Sequence, residues 1–459
     1  MVYKGASFKL NLSKKVEIMF RPVFFKVLFS LLIVFPFGSL AFGYPPCSNG
    51  SDPDGDGWGW ENDESCKVYP SCSSQASDPD GDNWGSENGS TCVVFQTCSS
   101  RSVDPNNDSW GWENGESCSV HGHFRDGSLS NRYADQQTKN VYSYLKGLPD
   151  GKSNRVMSGA FGGYSGITGS DAFSLSESDE IYSWTGQRPK IYACDYAQGW
   201  STAQNPTDLI DYSCNNTLKE LFNKEGGLVQ ISNHLPSPVP GNGGGLNDQI
   251  QNSEYAKILE EGHAIRSRWL SILDEVAAGL MDLQDAGVTV IYRPLHEMNG
   301  EWFWWGNTGY NANDAARRDL YKLVYADMFN YFTNVKGLNN LIWVYSPDAK
   351  RDFKLEFYPG YQIVDVVGLD VYTDSPTDSD VISGYNLLTG LGKPFSFAEI
   401  GPDTATQGNY DYKSLIEAIS SHYPETTYFL AWNSVWSPTE NVGPWYLYND
   451  DWTLNLGEN

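Results

Sequence analysis

The sequence predicts an α/β protein, a (β/α)8 TIM barrel behind a small disulfide-stapled N-terminal repeat module. Three observations carry that prediction. Eight short apolar runs recur between residues 155 and 433, several of them separated by stretches with helical spacing. Nearly every run leads to a polar or charged residue, as strands do when they deliver side chains to one rim of a barrel. Six of the eight cysteines crowd between Cys47 and Cys118, where aliphatic residues are scarce.

Residues 1–43 read as a secretory signal peptide. Arg21 and Lys26 precede an apolar run over residues 27–37, followed by small residues at Ser39, Ala41 and Gly43. The run is short for a membrane span and is broken by Pro36. Met19 offers an alternative start. The expectation is a secreted, extracellular protein, in a compartment where cystines persist.

Residues 44–120 carry one pattern three times, beginning at Cys47, Cys72 and Cys98 and ending at Cys66, Cys92 and Cys118. Each copy is too short to bury a core, so disulfides must replace one. Pairing within each copy is the simplest scheme, and the sequence alone does not choose among the connectivities. Trp58 with Trp60, and Trp110 with Trp112, stand two apart, so on a strand each pair shares a face suited to a sugar platform. The middle copy has Ser86 at the second position. Asp52, Asp54 and Asp56 alternate ahead of Gly57 like the start of a calcium loop, without a bidentate glutamate at the twelfth place. Three readings stay open: a carbohydrate-binding module, a calcium-stiffened spacer, or a plain spacer. The fragment GWGWEN with its following Ser-Cys resembles the second half of the cellulose-binding modules of family 10. That resemblance implies polysaccharide binding.

Composition narrows the partners. With a formal net charge of −26 over 459 residues, the chain is ill suited to nucleic acid, anionic polysaccharide or anionic membranes. Its 16 Trp and 28 Tyr favour flat apolar faces, and a neutral polysaccharide fits both facts.

Residues 121–459 hold the barrel. Candidate strands are 155–161, 190–195, 228–234, 288–297, 340–346, 364–372, 394–399 and 427–433. Candidate helices are 218–225, 253–286, 312–335 and 413–421, with apolar residues near helical spacing. The fourth run continues as RPLHEMNGEWFWWG and ends on Glu297; the seventh ends on Glu399, in FAEIG. Two carboxylates across one barrel mouth are what glycoside hydrolysis needs. The block Trp302, Phe303, Trp304 and Trp305 suits sugar faces, although Trp304 and Trp305 cannot both face a cleft from one strand. Glu301 reads as a loop residue, Asp195 and Asp370 as structural, and Cys194 with Cys214 as a candidate disulfide.

The segments RPLHEMNGEWFWWG, GLDVY and FAEIG resemble glycoside hydrolase family 26, best known for β-mannanases, over roughly residues 127–447. The resemblance implies Glu297 as general acid/base and Glu399 as nucleophile of a retaining mechanism, with no cofactor or metal. It further implies that His296 orients the acid and contacts substrate, and that Tyr372 bonds the nucleophile, with Arg293 nearby to keep it charged. Trp302 and Trp432 would stack on sugar rings, and His234 would line the glycone side. The implied function is a secreted, monomeric endo-β-1,4-mannanase acting on mannan and glucomannan. Its rivals are a β-1,3-xylanase or mixed-linkage glucanase of the same family, a non-catalytic carbohydrate-binding protein, and an adhesion protein built on the repeats.

Overall fold

The computed structural model describes residues 129–458, apart from 132, 150–154, 242, 310 and 312, together with the backbone of seven short strands between Trp58 and Ser119. Six of those strands form three antiparallel hairpins, Trp58–Glu61 with Glu64–Lys67, Trp84–Glu87 with Ser90–Val93, and Trp110–Glu113 with Glu116–Ser119, and the seventh, Gln96–Thr97, pairs in parallel with Glu116–Ser119. Their registers match copy for copy: Gly59 faces Cys66, Gly85 faces Cys92, and Gly111 faces Cys118. The signal-peptide residues, the cystine pairing and the aspartates of the calcium reading lie outside the described residues.

The eight expected strands are all present. They are β1 (Val156–Tyr164), β2 (Ile191–Gln198), β3 (Leu228–His234), β4 (Val290–Arg293), β5 (Leu341–Tyr345), β6 (Val366–Thr373), β7 (Phe395–Pro402) and β8 (Thr426–Ala431). Each pairs in parallel with the next, and β8 returns to β1 with Tyr428 opposite Met157, closing the barrel. Burial on both faces explains why these strands read as continuous apolar runs and not as alternating ones.

Their ends differ from the sequence reading where function begins. The fourth strand was expected to reach Glu297, but it stops at Arg293. Pro294 has no N–H for the ladder, and Leu295 and Glu297 adopt left-handed backbone, φ 48° and 53°. Glu297 therefore stands in a loop. Conversely, β7 runs past Glu399 to Pro402, so that residue lies within the strand.

The helices are α1 (Gln136–Gly147), α2 (Ser176–Thr185), α3 (Asn215–Glu220), α4 (Asn252–Ala256), α5 (Ala264–Asp285), α6 (Ala315–Asn330), α7 (Ser379–Thr389), α8 (Tyr412–His422) and α9 (Pro444–Tyr448). The expected single helix over 253–286 is two. Gly262 at φ 80° turns the chain, and the His263 side chain accepts the Ile265 N–H to start α5 afresh. Helix α2 escaped notice because Ser178, Ile181 and Thr185 are its only buried residues, too thin an apolar stripe to register.

Two packed layers hold the barrel together. The outer layer sets Trp269, Val276 and Leu280 of α5 and Tyr321, Val324 and Met328 of α6 against outward residues such as Val290, Tyr292 and Trp343. The inner layer fills the barrel with Met157, Phe161, Ile291, Ile342, Val344, Ala398 and Leu430. Helix α1 adds Val141, Tyr142 and Leu145 to that inner cluster. Thr138 bonds Thr289 just before β4, and the Tyr142 hydroxyl donates to the Asp365 carbonyl just before β6. Helix α1 thus closes the N-terminal end of the barrel and leaves the opposite rim for chemistry. Cys194 of β2 and Cys214 at the start of α3 form the expected disulfide, a link across 20 residues worth about 3 kcal/mol by loop-closure entropy.

Candidate active site

The site grows from Arg293, the last residue of β4, which is fully buried at the C-terminal rim. Its Nη2 donates to Asp370 Oδ2 at 2.5 Å and to Glu399 Oε2 at 2.6 Å. Strands β6 and β7 place those two carboxyls side by side, in register, with bulges in the pairing before Asp370 and around Glu399. Bulges of this kind re-aim a side chain at a rim. Tyr372 follows Asp370 by two residues, so it shares the same face of β6, and its hydroxyl donates to Glu399 Oε1. Both oxygens of Glu399 are therefore held by donors, one of them cationic.

Asp370 also accepts the Ser346 hydroxyl at 2.5 Å. Burial pushes its carboxyl up to about 7; Arg293 opposes the rise and Glu399 adds to it. Asp195 and Asp370 thus contact the site through His234 and Arg293 respectively.

Glu297 has a different environment. Its backbone N–H donates to the Ser346 carbonyl at 2.7 Å, and its Oε2 accepts the Trp302 indole N–H at 2.6 Å. Burial, then the charges of Glu399, Asp370 and Asp348, push its carboxyl well above the ordinary carboxylate range, with Arg293 pulling the other way. Asp348, beyond β5, is pushed up to about 6, again chiefly by burial.

The aromatic block divides sharply. Trp304 and Trp305 are both fully buried, so neither faces the cleft. Their indoles donate to the Leu235 and His296 carbonyls at 3.0 and 2.8 Å. Neither lies on a strand, so the alternation argument did not apply. Trp302 stays partly exposed, and it bonds Glu297 as well as offering a ring to a ligand. Glu301 is a loop residue, paired with Arg351 at 3.0 Å.

On the opposite side of the mouth, Asp195 Oδ2 lies 2.8 Å from His234 Nδ1, and His234 Nε2 lies 3.3 Å from His296 Nε2. His296 was expected to orient the acid. Its ring contacts His234 instead, and its Nδ1 is buried without a partner. Orientation of Glu297 falls to Trp302. Trp432, directly after β8, is buried and stacks on Phe161 with centroids 3.7 Å apart. Tyr164 and Trp200 meet edge to face at 4.5 Å, and each also meets His234 edge to face. Sequence reasoning missed both. Tyr164 lies beyond the expected end of its strand, and Trp200 stands in a loop with no periodicity to mark it.

A sequence profile described as glycosyl hydrolase family 26 matches residues 130–458. The chain belongs to that family. It is 51% identical to a mannan endo-1,4-β-mannosidase of Bacillus subtilis strain 168 over 328 residues, 72% of this chain and 88% of that one. A mannan endo-1,4-β-mannosidase A and B of Caldalkalibacillus mannanilyticus is 46% identical over 340 residues, 74% of this chain and 64% of that one. A solved structure of a Bacillus subtilis mannanase superposes with a TM-score of 0.68 at 51% identity, covering 72% of this chain and 95% of that one. A second profile, described as a cellulose or protein binding domain, matches residues 38–68, which include the first repeat copy.

Glycosidases of family 26 need no cofactor. Among the described residues, no group of three or more His, Cys, Asp or Glu could hold a metal ion, and no helix is long and apolar enough to cross a membrane. The two glutamates are electrostatically linked, which is directly testable. Glu399→Gln removes a negative neighbour of Glu297, so the Glu297 pKa should fall, although burial will keep it above the ordinary value. Carboxyl 13C titration by NMR measures this; an unchanged or raised Glu297 pKa would show that the two groups are not coupled through space.

Proposed function

We propose that this chain is a secreted, retaining endo-β-1,4-mannanase that cleaves mannan and glucomannan by double displacement. One observation carries the reading: two glutamates in one cleft have opposite environments. Glu399 is bonded by Arg293 and Tyr372, donors that favour an anion, while burial and neighbouring charge keep Glu297 protonated. The mannan endo-1,4-β-mannosidases at 51% and 46% identity support mannan as the substrate.

In the first step Glu399 attacks the anomeric carbon, and the glycosidic bond breaks as Glu297 gives its proton to the departing oxygen. A covalent glycosyl ester on Glu399 results. In the second step the Glu297 carboxylate takes a proton from water, whose oxygen displaces Glu399 and releases the sugar with its original configuration. His234, His296, Tyr164 and Trp200 stand on one side of the cleft, and Trp302 and Trp432 would supply stacking surfaces. The carboxyls of Glu297 and Glu399 should lie about 5–5.5 Å apart. Because the acid must be protonated while Glu399 stays ionised, activity should be lost on the alkaline side as pH rises through the Glu297 pKa.

The first test combines substrate and mechanism. The enzyme should hydrolyse glucomannan in preference to β-1,3-xylan and barley glucan. Glu399→Ala should lose activity on every substrate. Glu297→Ala should release an activated aryl leaving group in a burst and then stall, because no base activates water. Azide should restart Glu297→Ala and give the retained β-glycosyl azide; an inverted product from that variant would exchange the two roles.

The same reading extends to the N-terminal part. The match at residues 38–68 and the tryptophan pairs support the repeats as a polysaccharide-binding module, with Trp58, Trp60, Trp110 and Trp112 as its contacts. A structural calcium at Asp52, Asp54 and Asp56 is the secondary reading, and equilibrium dialysis of the purified chain with calcium decides it. Residues 1–43 would direct export and be removed, and the mature chain would act as a monomer. Deleting residues 44–120 should leave turnover of soluble oligosaccharide unchanged and weaken retention on insoluble mannan or cellulose. Equal retention with and without them would reduce the repeats to a spacer.

A further inference from the structure

Asp195 lies at the centre of β2, is fully buried and has all its contacts accounted for. Its Oδ1 accepts two backbone N–H groups, from Ala197 at 2.9 Å and from His234 at 3.0 Å. Its Oδ2 is left for His234 Nδ1 at 2.8 Å. A carboxylate is an acceptor only, so the His234 ring must place its proton on Nδ1. In neutral His234 the other nitrogen, Nε2, is then bare.

That nitrogen sits 3.3 Å from His296 Nε2, and two imidazole nitrogens can bond only if one carries hydrogen and the other does not. His296 must therefore be the donor, with its proton on Nε2 and a lone pair on Nδ1. The buried Nδ1 has no partner, which suits a bare nitrogen far better than an N–H. Burial, Arg293 and His234 also hold the His296 pKa well below the ordinary imidazole range. Buried Asp195, partly exposed His234 and buried His296 thus form one directional chain, in which His296 donates to His234 and His234 to Asp195.

We propose that Asp195 is a positioning residue that fixes the tautomers of His234 and, through it, His296, so that His296 donates to His234 and the His234 ring is held in one orientation at the cleft. The proposal rests on the glycoside-hydrolase reading of this cleft and deepens it. His234 keeps 12% of its side chain exposed, so it is the member of the chain that a sugar can touch. Neither the sequence pattern nor the roles implied for the two histidines sets their proton positions; the carboxylate behind them does.

The test uses the full chain labelled with 15N-histidine, at a pH alkaline enough for neutral imidazoles. His234→Gln and His296→Gln serve only to assign the signals. In the wild type His234 should appear as the Nδ1–H tautomer and His296 as the Nε2–H tautomer. Asp195→Asn keeps the oxygen that accepts the two backbone N–H groups but turns an amide N–H toward His234 Nδ1. Both tautomers should then reverse, and kcat/KM on mannan oligosaccharide should fall. A wild-type His234 protonated on Nε2 would overturn the proposal, and so would reversed tautomers with kcat/KM unchanged. The wild-type spectrum needs no variant, so it decides the tautomers even if Asp195→Asn folds poorly. A wild type with the expected tautomers but no glycan hydrolysis would sink the functional reading and leave the tautomer assignment standing.

Discussion

One buried guanidinium governs the site. Arg293 supplies a single positive charge in a pocket that also holds Asp370, Glu399 and Glu297. One cation cannot neutralise three carboxylates, and water is largely excluded, so protons must make up the difference. Geometry decides where they go. Glu399 takes the guanidinium on one oxygen and the Tyr372 hydroxyl on the other, and both contacts favour its anion. Asp370 shares the guanidinium and is pushed up to about 7. Glu297 receives only a neutral indole N–H and feels the other charges through space, so it keeps its proton most firmly. The division of labour between two identical side chains follows from which of them Arg293 touches.

The same electrostatics gives the proposed cycle its second half. An acid that is too weak would be a good proton holder and a poor donor, and the step after it calls for a base at the same atom. The charge of Glu399 stands just behind burial among the causes that raise Glu297. Esterification of Glu399 removes that charge while Arg293 stays in place. Glu297 then loses a repulsive neighbour, its carboxylate becomes easier to form, and it is ready to take a proton from water. No conformational change is required, because the switch is the charge consumed and restored at the neighbouring glutamate.

The barrel was legible because buried parallel strands write long apolar runs, and all eight lie where those runs lie. The two glutamates were legible because each follows such a run. What lay off the strands was harder to read. Periodicity has no signature for Leu295 and Glu297 in left-handed backbone, so β4 was carried four residues past its C-terminal end. The aromatic block looked like a sugar-binding surface, yet Trp304 and Trp305 are internal girders and only Trp302 is partly open. Tyr164 and Trp200 reach the cleft from a strand end and a loop, and composition alone could not distinguish them from the many other aromatics. His296 showed its place in the sequence but not its partner, since Asp195 comes from a strand about a hundred residues earlier.

The left-handed residues raise a further physical question: what keeps the acid in place. Non-glycine residues in that region cost of order 1 kcal/mol each and persist only where their surroundings over-determine them. Here the surroundings do so from every side. The Tyr321 hydroxyl holds the Leu295 carbonyl at 3.0 Å, the Trp305 indole holds that of His296 at 2.8 Å, and the Glu297 N–H is bonded to Ser346. Asn299 ties the loop to the one after β5, donating to the carbonyls of Asp348, Arg351 and Asp352 and accepting the Asp348 N–H. Arg317 donates to the carbonyls of Trp304 and Gly306 from below. The buried tryptophans that seemed to belong to the ligand therefore belong to the acid. They hold a strained loop still, so that Glu297 meets its target within the fraction of an ångström that proton transfer tolerates.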